Sequence, residues 1–363
     1  MLNNKLDSVE WGEYSFKSIF NNISQGRRLK KDDQLPGDIP FVMAGVTNSG
    51  VVNYISNPVA IFPENSITID IFGNTFYRDY AFGAGDDTGV YWSDENIYSK
   101  ETMKFFAISM NKSMESKFDF GKKLRSSQSS HLKMMLPVKN GEIDIGFMDS
   151  FIAELEAERI AELETYLTVA GLKNYELTPQ EQVVLDEFEN HNLLWGTYNL
   201  KALFGPSTRG KRLKSSDRLS GDLPFVTAGE FSEGVSAFIC NDVTVFPENT
   251  TTIDMFGSAK YRNYEYGADD HIAVVHTENL PGQAAIFITT SIHKSSYTGK
   301  FDYGRNFYAK DADNLMISLP VKNDKPDFSY MSDLISAIQK LVIKDVVRYT
   351  EKKMAAYKHV VAR

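Results

Sequence analysis

One cysteine, Cys240, stands in the entire sequence. No intramolecular disulfide can form, and such thiol-poor composition fits a reducing, cytoplasmic setting. The twelve prolines include no Pro-Pro pair, so the Asn/Asp-Pro-Pro-Tyr/Phe signature of methyltransferases acting on exocyclic amines is missing. Six histidines and one cysteine form no cluster at metal-ligand spacing. No apolar run approaches the roughly 18 residues of a membrane span. The opening Met1-Leu2-Asn3-Asn4-Lys5 leads into a polar segment, not the apolar stretch of a secretory signal. A disulfide scaffold, a membrane span and a free-standing amine methyltransferase are therefore not expected.

Excess positive charge is lacking too: the net charge is −9. Taken alone it disfavours a nucleic-acid partner, but its distribution removes that objection. Residues 151–193 hold ten acidic and two basic side chains, whereas 331–363 hold three acidic and seven basic. The rest is close to balanced, so most of the acidity sits in one short segment that need not touch a phosphate.

What the sequence does have is an internal repeat covering nearly all of it. Trp11-Gly12-Glu13-Tyr14 recurs as Trp195-Gly196-Thr197-Tyr198, an offset of 184. Gly37-Asp38-Ile39-Pro40-Phe41-Val42 recurs as Gly221-Asp222-Leu223-Pro224-Phe225-Val226. The longest match sets 62–73 against 246–257, and Tyr77-Arg78 matches Tyr261-Arg262. Lys117-Phe118-Asp119-Phe120-Gly121 matches Lys300-Phe301-Asp302-Tyr303-Gly304 at an offset of 183, with one residue expected to drop out near Gly85.

Each copy opens with roughly 130 residues of short β-branched and aromatic runs bounded by Gly, Asn and Pro, which read as strands and turns. A helical part follows. In 148–170 the apolar positions Ile160, Leu163, Leu167 and Ala170 step by three and four up to Gly171, a natural C-terminal cap. In 331–363 the same stepping runs through Ile335, Ile338, Val342, Val346 and Tyr349, then Met354, Tyr357 and Val361. Between the copies, Thr178-Pro179-Gln180-Glu181 carries the capping residue, first-position proline and third-position glutamate of a helix start. The first long helix is acidic and the second basic, so their apolar seams and charged edges suit one another. The expected fold is α+β: two pseudo-two-fold-related β-rich domains (1–147 and 195–330) separated by two long helices (in 148–194 and 331–363) forming an antiparallel coiled coil. A 23-residue helix over 148–170 would span roughly 35 Å, about one turn of B-DNA.

This duplicated order of β-domain then long helix, with its two Gly-Asp-Ile/Leu-Pro-Phe-Val segments, resembles the DNA-specificity subunits of type I and type IIB-like restriction–modification systems. The stretch from Lys300 to Asp313 is similar to a segment common in the type IIB-like branch. The resemblance implies two target-recognition domains reading a bipartite, asymmetric duplex. It also implies a DNA methyltransferase, or fused methyltransferase–endonuclease subunits, docked on the helices. S-adenosylmethionine and magnesium would belong to those partners, with no cofactor, metal or catalytic residue on this chain. The rival readings are a two-domain scaffold that does not bind DNA, and a self-sufficient enzyme.

Candidate DNA contacts fall into three sets. The basic runs Arg27, Arg28, Lys30 and Lys31, and Lys211, Arg212 and Lys214, recur at the same place in both copies, as suits a sequence-independent grip on phosphates. Arg78 and Arg262 are candidates either for a second phosphate contact or for salt bridges to the shared Asp70 and Asp254. Where the copies diverge, base readers are expected: Lys122, Lys123, Arg125 and Gln128 in the first, Arg305, Asn306, Tyr308 and Lys310 in the second. Gly205-Pro206-Ser207-Thr208-Arg209-Gly210-Lys211 begins like a P-loop, but Arg212 stands where Ser or Thr would hold magnesium. Asp86-Asp87 and Asp269-Asp270-His271 suit a turn cap or a base contact better than a metal.

Overall fold

A computed structural model describes residues 2–361, and the side chains of 4–357. The chain divides into two compact units, residues 1–163 with 353–363, and residues 164–352.

The first unit runs α1 (Leu2–Asp7), β1 (Glu10–Ser15), α2 (Phe16–Ile19), β2 (Asn22–Gln25), β3 (Pro36–Val42), β4 (Val51–Ile55), β5 (Ser66–Asp70), β6 (Thr75–Arg78), β7 (Gly83–Ala84), β8 (Thr88–Trp92), α3 (Lys100–Met114), α4 (Ser126–Ser129), β9 (Lys133–Lys139), β10 (Glu142–Ile143) and most of α5 (Ile145–Val169). The strands form three small sheets, ordered β1-β9-β10, β2-β8-β5-β6 and β4-β3-β7. β5 is buried along its whole length, which its sequence Ser66-Ile67-Thr68-Ile69-Asp70 allows because each buried polar side chain finds a partner. The main core gathers Phe16 and Phe20, Ile67 and Ile69, Phe106 and Met110 of α3, and Met148, Phe151 and Ile152 of α5. Each such side chain contributes roughly 1.5–3 kcal/mol over its exposed state, so α5 is anchored to the β-domain through its first two turns. Tyr357 of the C-terminal helix also belongs to this unit, and donates to Glu156 Oε2 of α5 at 3.3 Å.

The second unit repeats the plan. α6 (Pro179–Glu189) leads to β11 (Trp195–Asn199), α7 (Leu200–Phe204), β12 (Thr208–Arg209), β13 (Ser220–Val226), β14 (Val235–Ile239), β15 (Val245–Phe246), β16 (Thr250–Asp254), β17 (Ala259–Arg262), β18 (Tyr266–Ala268), β19 (Ile272–Val275), α8 (Gly282–Ser296), α9 (Ala309–Asp313), β20 (Met316–Lys322), β21 (Lys325–Pro326) and most of α10 (Phe328–Val361). Its sheets, β11-β20-β21, β12-β19-β16-β17 and β14-β13-β18-β15, correspond to those of the first unit, except that the pairing made by β15 is reduced there to a single bridge between Phe62 and Phe82.

Strand register relocates the length change between the copies. Asp70 pairs with Thr88 and Asp254 with Ile272, so the offset of 184 survives past Gly85. It falls to 182 between the helix starts Lys100 and Gly282, and is 183 between the strand starts Lys133 and Met316. A residue lost beside a paired strand would turn every following side chain to the other face. The connections around α3 and α8 absorb the change without that cost.

The capping box expected at Thr178 is present: Thr178 Oγ1 accepts from Glu181 N at 3.2 Å, and Glu181 Oε2 accepts from Thr178 N at 2.7 Å. Glu181 goes further, accepting from Ser336 Oγ (2.6 Å) and Lys340 Nζ (2.7 Å) of α10. Burial works against its charge, but these hydrogen bonds outweigh it and hold the carboxyl at about 2. Also in this unit, Lys173 sits on Glu164 and lies in the field of Glu351, while Ala170, Gly171 and Leu172 share a cavity wall with Gln339, Lys340 and Ile343. Numbers rise along α5 as they fall along α10, so the two helices are antiparallel there.

The expected seam of α10 is displaced over 335–349, while its later positions Met354 and Tyr357 are half-buried. Met331, Leu334, Ala337, Val347 and Thr350 form its buried face, whereas Ile338, Val342, Val346 and Tyr349 are exposed and Ile335 is half-buried. The helix carries two apolar stripes, and periodicity alone does not say which one meets the protein. On α5, Ile160 and Leu167 are buried, Leu163 is half-buried, and Ala170, past the helix end, is exposed. The side chain of Val361 lies outside the described residues.

Candidate nucleic-acid interface

Strand direction brings one set of loops to one end of each unit. In the first, the ends of β2, β3, β5 and β7 and the start of β8 meet there. Gly26 N donates to Thr88 O (2.9 Å), Arg27 N to Ala84 O (2.9 Å), Gly85 N to Val42 O (2.8 Å) and Leu124 N to Ile71 O (2.9 Å). Gly26 is needed because a Cβ there would lie 2.2 Å from the Gly85 carbonyl oxygen. The segment 122–128 is clamped to the same end: Arg125 Nη1 and Gln25 Nε2 both donate to Asp86 O (2.5 and 3.0 Å), and Gln25 Oε1 accepts from Ser126 N (2.8 Å).

Arg27, Arg28, Lys30, Lys31, Lys122, Lys123 and Arg125 are thus exposed cations on neighbouring loops, with Gln128 exposed on α4 beside them. In the second unit Lys211, Arg212 and Lys214 are exposed on the corresponding loop, tied down by Lys211 N to Ala268 O (3.0 Å) and Leu213 N to Asp269 Oδ1 (3.3 Å). Arg305 and Lys310 are exposed and Asn306 and Tyr308 half-buried, on a segment held by Phe307 N donating to Met255 O at 2.9 Å. The two loop sets read separately in the sequence therefore share one end of each unit.

Arg78 and Arg262 do not belong to that surface. Each is only 1% exposed. Arg78 donates Nε and Nη2 to Thr68 Oγ1 (3.1 and 2.9 Å), Nη1 to Tyr80 OH (3.0 Å) and Nη2 to Ser49 O (2.6 Å). Arg262 repeats this set with Thr252, Tyr264 and Glu233. The expected phosphate contact is ruled out by burial, and the expected salt bridges are not made. Asp70 accepts instead from Phe72 N, Asn74 N, Asn74 Nδ2 and Gly45 N, and Asp254 from Phe256 N, Ser258 N and Gly229 N. Burial pulls the Arg78 guanidinium below its ordinary value, against the pull of Tyr80, yet arginine stays charged in proteins. Its role is to hold the carbonyl of a strained turn, in which Asn48 and Ser49 have φ of 48° and 52°; Ser232 and Glu233 have 46° and 54° in the second unit.

Two other motifs resolve locally. Thr208 and Arg209 of the P-loop-like segment pair with β19 as a strand, and the chain then runs without regular structure from Lys211 into a single 3-10 turn at Ser215–Asp217, where a P-loop would open an α-helix. Asp269 Oδ1 accepts from Leu213 N and Asp270 N, which makes it a turn cap.

The sequence matches the family described as Type I restriction modification DNA specificity domain twice, over residues 8–165 and 192–348. The chain belongs to that family. A curated relative, the Type II restriction enzyme BgcI specificity subunit S.BcgI of Heyndrickxia coagulans, is 21% identical over 346 residues, which cover 93% of this chain and 95% of the relative. Among solved structures, the Type-I restriction-modification system S subunit from M. genitalium superposes with a TM-score of 0.59 at 16% identity, covering 98% of this chain and 94% of that one. The family repeats fall on the two loop-bearing units. Sequence reasoning missed the aromatic rings at this end, Phe120 and Tyr303, because nothing in the matched segment that holds them signals their exposure.

Proposed function

We propose that this specificity-family chain supplies the DNA address for a methyltransferase and nuclease assembly and performs none of the chemistry itself. Each unit reads one half of a bipartite duplex target through the loop end described above. Arg27, Arg28, Lys30 and Lys31, with Lys211, Arg212 and Lys214, grip phosphates. Lys122, Lys123, Arg125 and Gln128, with Arg305, Asn306, Tyr308 and Lys310, face the bases. The observation that carries this reading is the coincidence, in both units, of a shared basic loop with a divergent polar segment at the same end. A sequence-independent grip is expected to be shared, and a reader of two different half-sites is expected to differ.

The methyltransferase partner docks on α10. Ile338, Val342, Val346 and Tyr349 make an exposed apolar stripe at helical spacing, with Val342 73% exposed, the form of a helix-in-groove contact. S-adenosylmethionine and magnesium belong to the partner subunits.

The test is a gel-shift titration of target duplex with the chain alone and with its methyltransferase. Weak binding alone and affinity higher by orders of magnitude with the partner are expected; equal affinity would contradict the shared-binding reading. Val342→Asp should abolish co-purification with the methyltransferase while leaving the circular-dichroism spectrum unchanged.

A further inference from the structure

Apart from the polar readers, each loop end carries an aromatic ring at a shared position, in a setting that neither solvent nor the fold explains; Phe231, also exposed in the second unit, has Thr47 as its counterpart in the first. Phe120 is 84% exposed and Tyr303 86%. Each stands at the tip of a four-residue turn closed in both directions. Asp119 N donates to Lys122 O (3.1 Å) and Lys122 N to Asp119 O (3.2 Å); Asp302 and Arg305 do the same at 3.1 Å each. The aspartate side chain locks the turn from inside. Asp119 Oδ1 accepts from Gly121 N (2.7 Å) and Lys122 N (2.9 Å), and Asp302 Oδ1 from Gly304 N (2.7 Å) and Arg305 N (3.0 Å). Each ring rests on a half-buried second ring, Phe72 at 4.9 Å or Phe256 at 5.2 Å between centroids. The next cation lies over a third ring, Lys122 over Phe118 at 5.7 Å and Arg305 over Phe301 at 5.5 Å.

A lone exposed apolar side chain is ordinary. A ring held proud on a pre-formed turn, backed by a second ring and flanked by a cation, at the same place in two units that diverge just beyond the shared Gly121 or Gly304, is not. The tip is Phe in one unit and Tyr in the other, so the shared property is the flat face and not a hydroxyl. Every base has such a face, and stacking on it is tolerant of sequence. The surrounding cations, Lys122, Lys123 and Arg125 or Arg305, favour a phosphate-lined partner over a protein one. Pre-organisation by the aspartate means little side-chain and turn freedom remains to be lost on contact.

We infer that Phe120 and Tyr303 are wedges that stack into a base step of the bound duplex and locally untwist it, a sequence-independent contact beside the base-reading residues. The inference rests on the DNA-reading function proposed above. A side chain that partly unstacks a step changes the twist of closed DNA, so the probe is a relaxed covalently closed plasmid. It is incubated with the full chain at low salt, re-relaxed with a topoisomerase, and scored for linking number, with occupancy measured on the same plasmid by gel shift.

Wild-type chain is expected to lower the linking number in proportion to bound protein. Phe120→Ala with Tyr303→Ala should lose most of that change at equal occupancy, and should weaken binding by about tenfold per ring without altering its salt dependence. Phe120→Tyr with Tyr303→Phe should behave as wild type. Untwisting by the alanine variant equal to that of wild type would overturn the wedge while leaving DNA reading intact. So would unchanged DNA behaviour with lost methyltransferase binding, which would make the rings a protein contact. Failure of wild-type chain to bind the plasmid even with its methyltransferase added would overturn both the wedge and the reading beneath it.

Discussion

At the scale of the residue, Arg78 and Arg262 show how a correct observation leads to a wrong role. Their recurrence after a shared strand was visible in the sequence, and a recurring arginine in a DNA-binding chain suggests a phosphate. Nothing in the linear pattern says that the side chain turns inward to Ser49 O or Glu233 O. Arg78→Met should therefore destabilise the first unit by about 2–4 kcal/mol, because the buried Thr68 Oγ1 and the part-buried Ser49 O and Tyr80 OH lose their donor. Equilibrium denaturation reads the loss, and DNA affinity below the transition should be unchanged; loss of affinity with unchanged stability would return the residue to the interface. Glu181 gives a prediction in pH. Its folded pKa, about 2, lies below the ordinary 4.5. Its contribution is therefore complete above pH 4.5 and is lost as pH falls from there toward 2. Glu181→Gln should lower the thermal midpoint of the second unit at neutral pH, and the gap from wild type should narrow on acidification through that window. The capping role of this glutamate was legible three residues after Thr178. Its bonds to Ser336 and Lys340 were not, since they join segments more than 150 positions apart.

At the scale of the element, the basic loops and the long helices divide what sequence can and cannot tell. The loops were legible because charge at a recurring position needs no tertiary knowledge. Their placement beside 122–128 or 305–310 depends on the hydrogen bonds of Gln25, Asp86 and Met255. Arg28→Ala with Lys30→Ala should weaken binding about equally on all duplexes and reduce the slope of log affinity against log salt by about one per lost phosphate contact. Salt titration by fluorescence anisotropy measures it; altered sequence preference at constant slope would make these residues base readers. The helix seam was misread for the opposite reason. α10 offers two apolar stripes at helical spacing, Met331-Leu334-Ala337 and Ile338-Val342-Val346, and only packing distinguishes them. The second stripe, left exposed, is the surface on which the proposed partner contact rests. The rings of Phe120 and Tyr303 escaped for a related reason, because their exposure follows from a turn closed by Asp119 or Asp302.

At the scale of the whole molecule, the repeat was the most legible feature, and it yielded the duplicated α+β units, the two long helices and the family. Strand register then moved the length change from Gly85 to the connections around α3 and α8, where an insertion disturbs no ladder. The central claim is that each unit reads its own half of the address. Replacing 11–147 by the corresponding segment of another family member, with the methyltransferase supplied, tests it most directly. Single-molecule sequencing of host DNA gives the methylated motif before and after. A motif with one specified half changed and the other half retained is expected. A motif changed in both halves, or in neither while methylation persists, would contradict it.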